Sequence, residues 1–198
     1  MYHIRGKKLL KKEEKVIYRS KLEDLEEESA KITFELKKII AQASDDVLFL
    51  CIGSDRSTGD SYGPLVGTLL KESLIPYPVY GTLSEPVHAL NLQKVLKGIK
   101  RNHKNSIVIG IDAGLGDYHQ IGSIYLKEGP FKPGKALNKG LHDIGDYHLT
   151  AVVNYLDAQF PHHSLNSTRL DTVMNLAKAT VKMIVDANNQ IKIEELQN

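Results

Sequence analysis

VLFLCIGSDRSTGDSYGPLVG, residues 47–67, decides how the rest of the chain is read. Val47 to Ile52 is an apolar run of strand length. It breaks at Gly53 into a loop holding Asp55, Arg56, Ser57, Thr58, Gly59, Asp60 and Ser61, and a helix then starts with Pro64 near its first turn. A strand, a polar loop and a helix in that order put the loop at the carboxyl end of a sheet strand. Open α/β folds bind ligands there, and the N–H groups of a helix start gather there. A second run, Ser106 to Ile111, leads into Asp112-Ala113-Gly114 in the same way, so another carboxylate is expected just past a strand end. If the two strands are neighbours, Asp60 and Asp112 face one another.

Working outward, Val66, Leu69, Leu70 and Leu74 form a helical stripe that must stop before Pro76 and Pro78. Val79 to Leu83 reads as a short strand, and Ser84-Glu85-Pro86 as the opening of a helix with Leu92, Val95, Leu96 and Ile99 on one face. Strand, helix, strand, helix, strand within about seventy residues argues for a mostly parallel α/β sheet. Upstream, lysine, arginine and glutamate interleave, while Leu25, Ile32, Leu36, Ile39 and Ile40 recur at helical spacing. This predicts an amphipathic helix from about Lys21 to Gln42. Its stripe packs on the sheet or, alternatively, docks a partner or a second copy. The first twenty residues read as a mobile arm or an edge strand. Residues 1–45 thus form a charged arm and helix, and 46–190 the α/β domain.

From Gly114 to Gly145, glycine, proline and polar residues surround one strand, Ser123 to Lys127. GLGDYHQIG and EGPFKPGKALNKGLHDIG read as loops able to frame a substrate channel. Leu149, Val152, Val153 and Leu156 have helical spacing, as do Leu170, Val173, Met174, Ala177, Val181 and Ile184, the latter with Thr168-x-x-Asp171 as a candidate capping box. Two closing helices are therefore expected, followed by a frayed tail, IKIEELQN.

The 198 residues, 41% hydrophobic and 25% charged with a formal net charge of +2, fit one ordinary globular domain and give no sign of a nucleic-acid binder. The single cysteine, Cys51, sits in the apolar strand and excludes an intramolecular disulfide. No apolar stretch approaches the roughly 18 to 20 residues that cross a bilayer, and MYHIRGKKLLKKEEK lacks the apolar centre of a signal peptide. A cytoplasmic protein with no membrane partner is expected.

Two carboxyl groups close enough to share a proton split their pKa values, leaving one as base and the other as acid. Asp60 and Asp112 are the candidates. Each alone also suits a helix cap or a turn. The same pair can bind a divalent metal if an imidazole completes the site. His142, with His148 in LHDIGDYH, can reach the carboxylates, and His119 is a weaker candidate. His162 and His163 read as solvated turn residues, and His88 lies near a helix start. HExxH, paired CxxC and GxSxG elements are absent, and GSDRSTG lacks the lysine of a P-loop. Ser54, Ser57, Thr58 and Ser61 have no evident base beside them, so a serine nucleophile is a minority reading.

CIGSDRSTGDSYGPLVG, IGIDAGLG, IGDYHLTAVVNYL and NSTRLDTVMNLA together resemble the YyaC family of bacterial sporulation proteins, over roughly residues 45 to 187. That family is similar to the germination protease that degrades small acid-soluble spore proteins, and to the hydrogenase maturation endopeptidases. The resemblance implies a three-layer α/β/α fold of the phosphorylase/hydrolase type. It matches Asp60 in TGDSYGP and Asp112 in IGIDAG to the two catalytic aspartates of the germination protease. In the maturation enzymes a carboxylate, an aspartate and a later histidine touch nickel; Asp60, Asp112 and His142 would take those places. Ser54 departs from the asparagine that the related proteases tend to have after the strand-ending glycine. The expected function is a sporulation or germination peptidase of the spore or forespore, acting on a protein or peptide such as the small acid-soluble spore proteins, with no cofactor. In it Asp55, Arg56, Ser57, Ser61, Gly63 and Gly114 position the substrate, with N–H groups near Ser61 to Gly63 stabilising the oxyanion. The alternatives are a nickel- or zinc-dependent processing protein and a non-catalytic peptide-binding module. A homo-oligomer is left open.

Overall fold

In the computed structural model, residues 15–21, 25–43, 46–130 and 144–197 are described. Among them the strands are β1 (Lys15–Lys21), β2 (Val47–Cys51), β3 (Val79–Tyr80), β4 (Ile107–Gly116), β5 (Ser123–Glu128) and β6 (Tyr147–Tyr155). The helices are α1 (Leu25–Ala41), α2 (Tyr62–Glu72), α3 (Leu92–Asn102), α4 (Pro161–Asn166) and α5 (Leu170–Gln197). The strands form one sheet in the order β1-β5-β6-β4-β2-β3. β2 runs parallel to β3 and β4, and β4 parallel to β6, whereas β5 is antiparallel to both β6 and β1.

The sheet separates two cores, giving an α/β/α sandwich. Alternation along β2 sends Val47, Phe49 and Cys51 to one face, where they meet Ile32, Leu36, Ile39 and Ile40 of α1, Val66 and Leu70 of α2, and Val173, Ala177 and Ile184 of α5. Leu48 and Leu50 face the other way and pack with Leu92 and Ile99 of α3. Because β2 is covered on both faces, its sequence is an unbroken apolar run. β1 is the edge-strand reading of the N-terminal segment, and with α1 it belongs to this same sheet and core.

Several sequence expectations are corrected. Residues 147–155 form a central strand rather than a helix. Leu149, Ala151 and Val153 face the larger core, and the strand lies between β4 and β5. The spacing of Leu149, Val152 and Val153 fits either period, and β-branched and aromatic residues in YHLTAVVNY decide for the strand. The expected frayed tail is helical to Gln197, with Ile191 packed on the core and Glu194 paired with Lys37 of α1. α3 begins at Leu92, later than Ser84-Glu85-Pro86 implied, because Val87 first bridges Ile52 in the sheet. Thr168 donates its hydroxyl to Ser164 O and accepts from Asn154 Nδ2, so its side chain serves the preceding turn. Among the described residues, no helix is long and apolar enough to cross a membrane.

Candidate active site

β2 and β4 pair from Val47↔Ile107 to Cys51↔Ile111, and Ile52 N–H closes the ladder on Ile111 O at 2.7 Å. There β2 leaves the sheet. Gly53, at φ 147°, donates its N–H to Val87 O at 2.8 Å and turns the chain into the polar loop. The loop folds back on itself, with Ser54 N–H reaching Asp60 O at 3.1 Å. A side chain at Gly53 would place its Cβ 2.0 Å from that carbonyl, so glycine is what lets the loop close. Asp60 sits on a 3-10 turn, Gly59–Ser61, that leads into α2 and packs against β4. Gly59 faces Leu165 and the Thr168 hydroxyl, which hold the turn from the α4 side.

β4 continues past the end of β2 because β6 remains beside it, and Asp112 pairs with Thr150. Asp112 therefore lies inside a strand and not beyond its end as the sequence suggested. It is the first residue of β4 after the β2 ladder closes, and it is 9% exposed. Asp60, half-buried, and Asp112 thus occupy the same end of two adjacent parallel strands. Tyr62 lies close by. Burial pushes its phenol far up, its 2.7 Å bond to the Thr180 hydroxyl pulls the other way, and the charges of Cys51 and Asp112 add to the rise.

Alternation on β4 and β6 places Asp112, His148 and Thr150 on one face, with Gly110 opposite His148. His148 is 1% exposed and its Nδ1 is 3.2 Å from Gly129 O. A carbonyl can only accept, so Nδ1 carries the proton. Thr150 escaped the sequence reading because its strand was taken for a helix. The same reading hid where His148 stands.

The other expected residues scatter more. Asp55 and Arg56 are exposed, and the Arg56 N–H is held by Ser54 Oγ at 3.3 Å. The Ser57 hydroxyl is buried with no hydrogen-bond partner. Ser61 N–H is taken by Ser57 O and Thr58 O, and its hydroxyl by Thr58 O at 2.6 Å, so it is not the free oxyanion donor expected. Gly63 packs on β2, where an added Cβ would lie 2.1 Å from Ile52 O. Gly114 is inside β4, against the Thr150 methyl. His119 is exposed on a 3-10 turn, and His162 and His163 are exposed on α4. His142 and most of EGPFKPGKALNKGLHDIG, residues 131–143, lie outside the described residues. Among the described residues, no group of three His, Cys, Asp or Glu side chains is arranged to hold a metal ion.

The family described as "Protein of unknown function (DUF1256)" matches residues 20–183. The chain is 46% identical over 136 residues to "Uncharacterized protein YyaC" of Bacillus subtilis (strain 168); the match spans 68% of this chain and 66%, just under two thirds, of that relative. Among solved structures, the NiFe hydrogenase maturation protease HycI from Thermococcus kodakarensis KOD1 is similar at 15% identity and a TM-score of 0.47, over 76% of this chain and 99% of that one.

Proposed function

Taking as premise that the chain belongs to the DUF1256 family, we propose that it is a peptidase of sporulating or germinating cells, acting in the forespore or spore with Asp60 and Asp112 as its catalytic pair. The observation that carries this reading is the placement of Asp112, nine-tenths buried where β2 peels away, with the turn bearing Asp60 packed against its strand. In this reading one member of the pair is ionised and acts as base while the other is protonated and acts as acid. The ionised member takes a proton from water as the water oxygen attacks the peptide carbonyl carbon. The protonated member gives its proton to the carbonyl oxygen or the departing amine as the C–N bond breaks. The resemblance of TGDSYGP and IGIDAG to the germination-protease motifs supports small acid-soluble spore proteins as the substrates.

A non-catalytic peptide-binding module is the second reading. The Ser61 donors, engaged within their own loop, favour it. The test incubates the full-length protein with small acid-soluble spore proteins, with and without nickel or zinc, and reads products by mass spectrometry. Defined fragments are expected from the unaltered chain and none from Asp60→Asn or Asp112→Asn. Cleavage retained in both variants ends the aspartate mechanism, and cleavage only with metal transfers it to the metal-dependent alternative.

A further inference from the structure

We infer that a peptide substrate is held as an added strand on the open edge of β3, an inference that rests on the peptidase reading and specifies how that site would take its substrate. Phe49 N–H bonds Pro78 O at 2.9 Å while Phe49 is in register with Val79. In a parallel ladder that register gives both backbone groups of Phe49 to residues 78 and 80. The N–H and C=O of Val79 therefore point away from β2. β3 is the last strand of the sheet, and its Val79 and Tyr80 line a groove of about 500 Å³. Lys71 of α2 lines one side, and Glu85 and Asn91 line the other. Among the described residues, neither Lys71 nor Glu85 has an ion-pair partner. A backbone edge flanked by one free cation and one free anion suits an extended peptide with side chains of both signs.

The position also fits. Val87, which lines the groove, bridges Ile52 and accepts from Gly53 N–H, so the groove is joined to the start of the loop that carries Asp60. Strands lie about 4.8 Å apart, so an added strand would run about 15 Å from β4, a span that roughly four to five extended residues cover. The opposite edge is less suited. β1 carries Lys15, Arg19 and Lys21, the kind of edge charge that discourages pairing, and it lies three strands from β4.

Val79→Pro removes the outward donor while leaving the Pro78 and Tyr80 bonds to β2 in place. A randomised decapeptide library is selected on the full-length protein, and the winning peptide is titrated by fluorescence anisotropy. At least tenfold weaker binding is expected for Val79→Pro, and a changed charge preference for Lys71→Glu with Glu85→Lys. Because a proline in a strand can disturb folding, hydrogen exchange on the unaltered protein gives a second reading: the Val79 amide is expected to slow when peptide saturates. Failure to select any peptide, binding unchanged by Val79→Pro, or no slowing at Val79 overturns the proposal. Edge binding without cleavage by the unaltered chain would sink the peptidase reading alone, whereas cleavage with no involvement of Val79 would sink this one alone.

Discussion

Cys51 and Tyr62 stand at the two ends of the loop that carries Asp60, and both are fully buried. Burial pushes the Cys51 thiol far above its ordinary 9.0, with the Lys71 charge opposing the rise, and the Tyr62 phenol far above 10.0. Between the ordinary and the raised value the folded chain keeps protons that the unfolded chain releases. Stability is therefore complete below about pH 9 and falls as pH rises beyond it. The urea midpoint is expected to hold between pH 7 and 8.5 and to decline by pH 10.5, with a shallower decline in Cys51→Ala/Tyr62→Phe. A midpoint flat to pH 10.5 would show that neither proton is held. The same burial keeps the Cys51 thiolate population negligible, so a thiol reagent should label it only in denaturant. Of the proposed pair, both aspartates could be singled out in the sequence as polar residues after apolar runs. For Ser61 and Gly63, composition shows a hydroxyl and a glycine but not that the first is bonded to Thr58 O and the second lies against Ile52 O.

At the scale of elements, Gly59, Gly63 and Gly67 recur every four residues and bring α2 and its entry turn down onto the sheet. A Cβ at Gly63 would lie 2.1 Å from Ile52 O, and one at Gly67 1.9 Å from Gly81 O, in each case against backbone that cannot rotate away. Gly63→Ala is therefore expected to cost about 1–3 kcal/mol. Gly98 in α3 is the contrast, since a Cβ there meets nothing within 4 Å. Gly98→Ala should stabilise by about 0.5–1 kcal/mol through helix propensity. Thermal melts of the two variants decide it, and equal shifts of the same sign would refute the close-packing account. The strand-loop-helix unit was legible because a six-residue apolar run, Val47 to Ile52, between a polar segment and a glycine has few other readings. β6 was misread because a strand inside the sheet is covered on both faces and loses the alternation that marks a half-buried strand. The end of α5 was missed because its pairing with α1, Glu194 to Lys37, joins residues far apart in sequence, which no local pattern encodes.

Across the whole molecule, the sheet is closed at one side by a segment about a hundred residues from its partner in sequence. β1 pairs with β5 from Lys15↔Glu128 to Lys21↔Ser123, and α1 carries the chain back over the larger core to meet α5. Removing residues 1–21 would bare the edge of β5, whose Ile124 and Leu126 are core residues. An uncovered edge beside a strand of that composition is a template for another chain. The truncated protein is expected to elute as larger species in size-exclusion chromatography with light scattering and to unfold at lower temperature than the full chain. Ending the chain at Lys192 is the comparison. It removes Glu194, 57% exposed and paired with Lys37, together with Leu196, which is 88% exposed. An ion pair so open to solvent contributes about 0–1 kcal/mol, so this shorter chain should keep the oligomeric state and nearly the melting temperature of the full one. If instead the C-terminal truncation associates and the N-terminal one does not, the self-pairing surface lies on the α1–α5 side, where Phe34 is exposed, and β1 is not what protects the sheet.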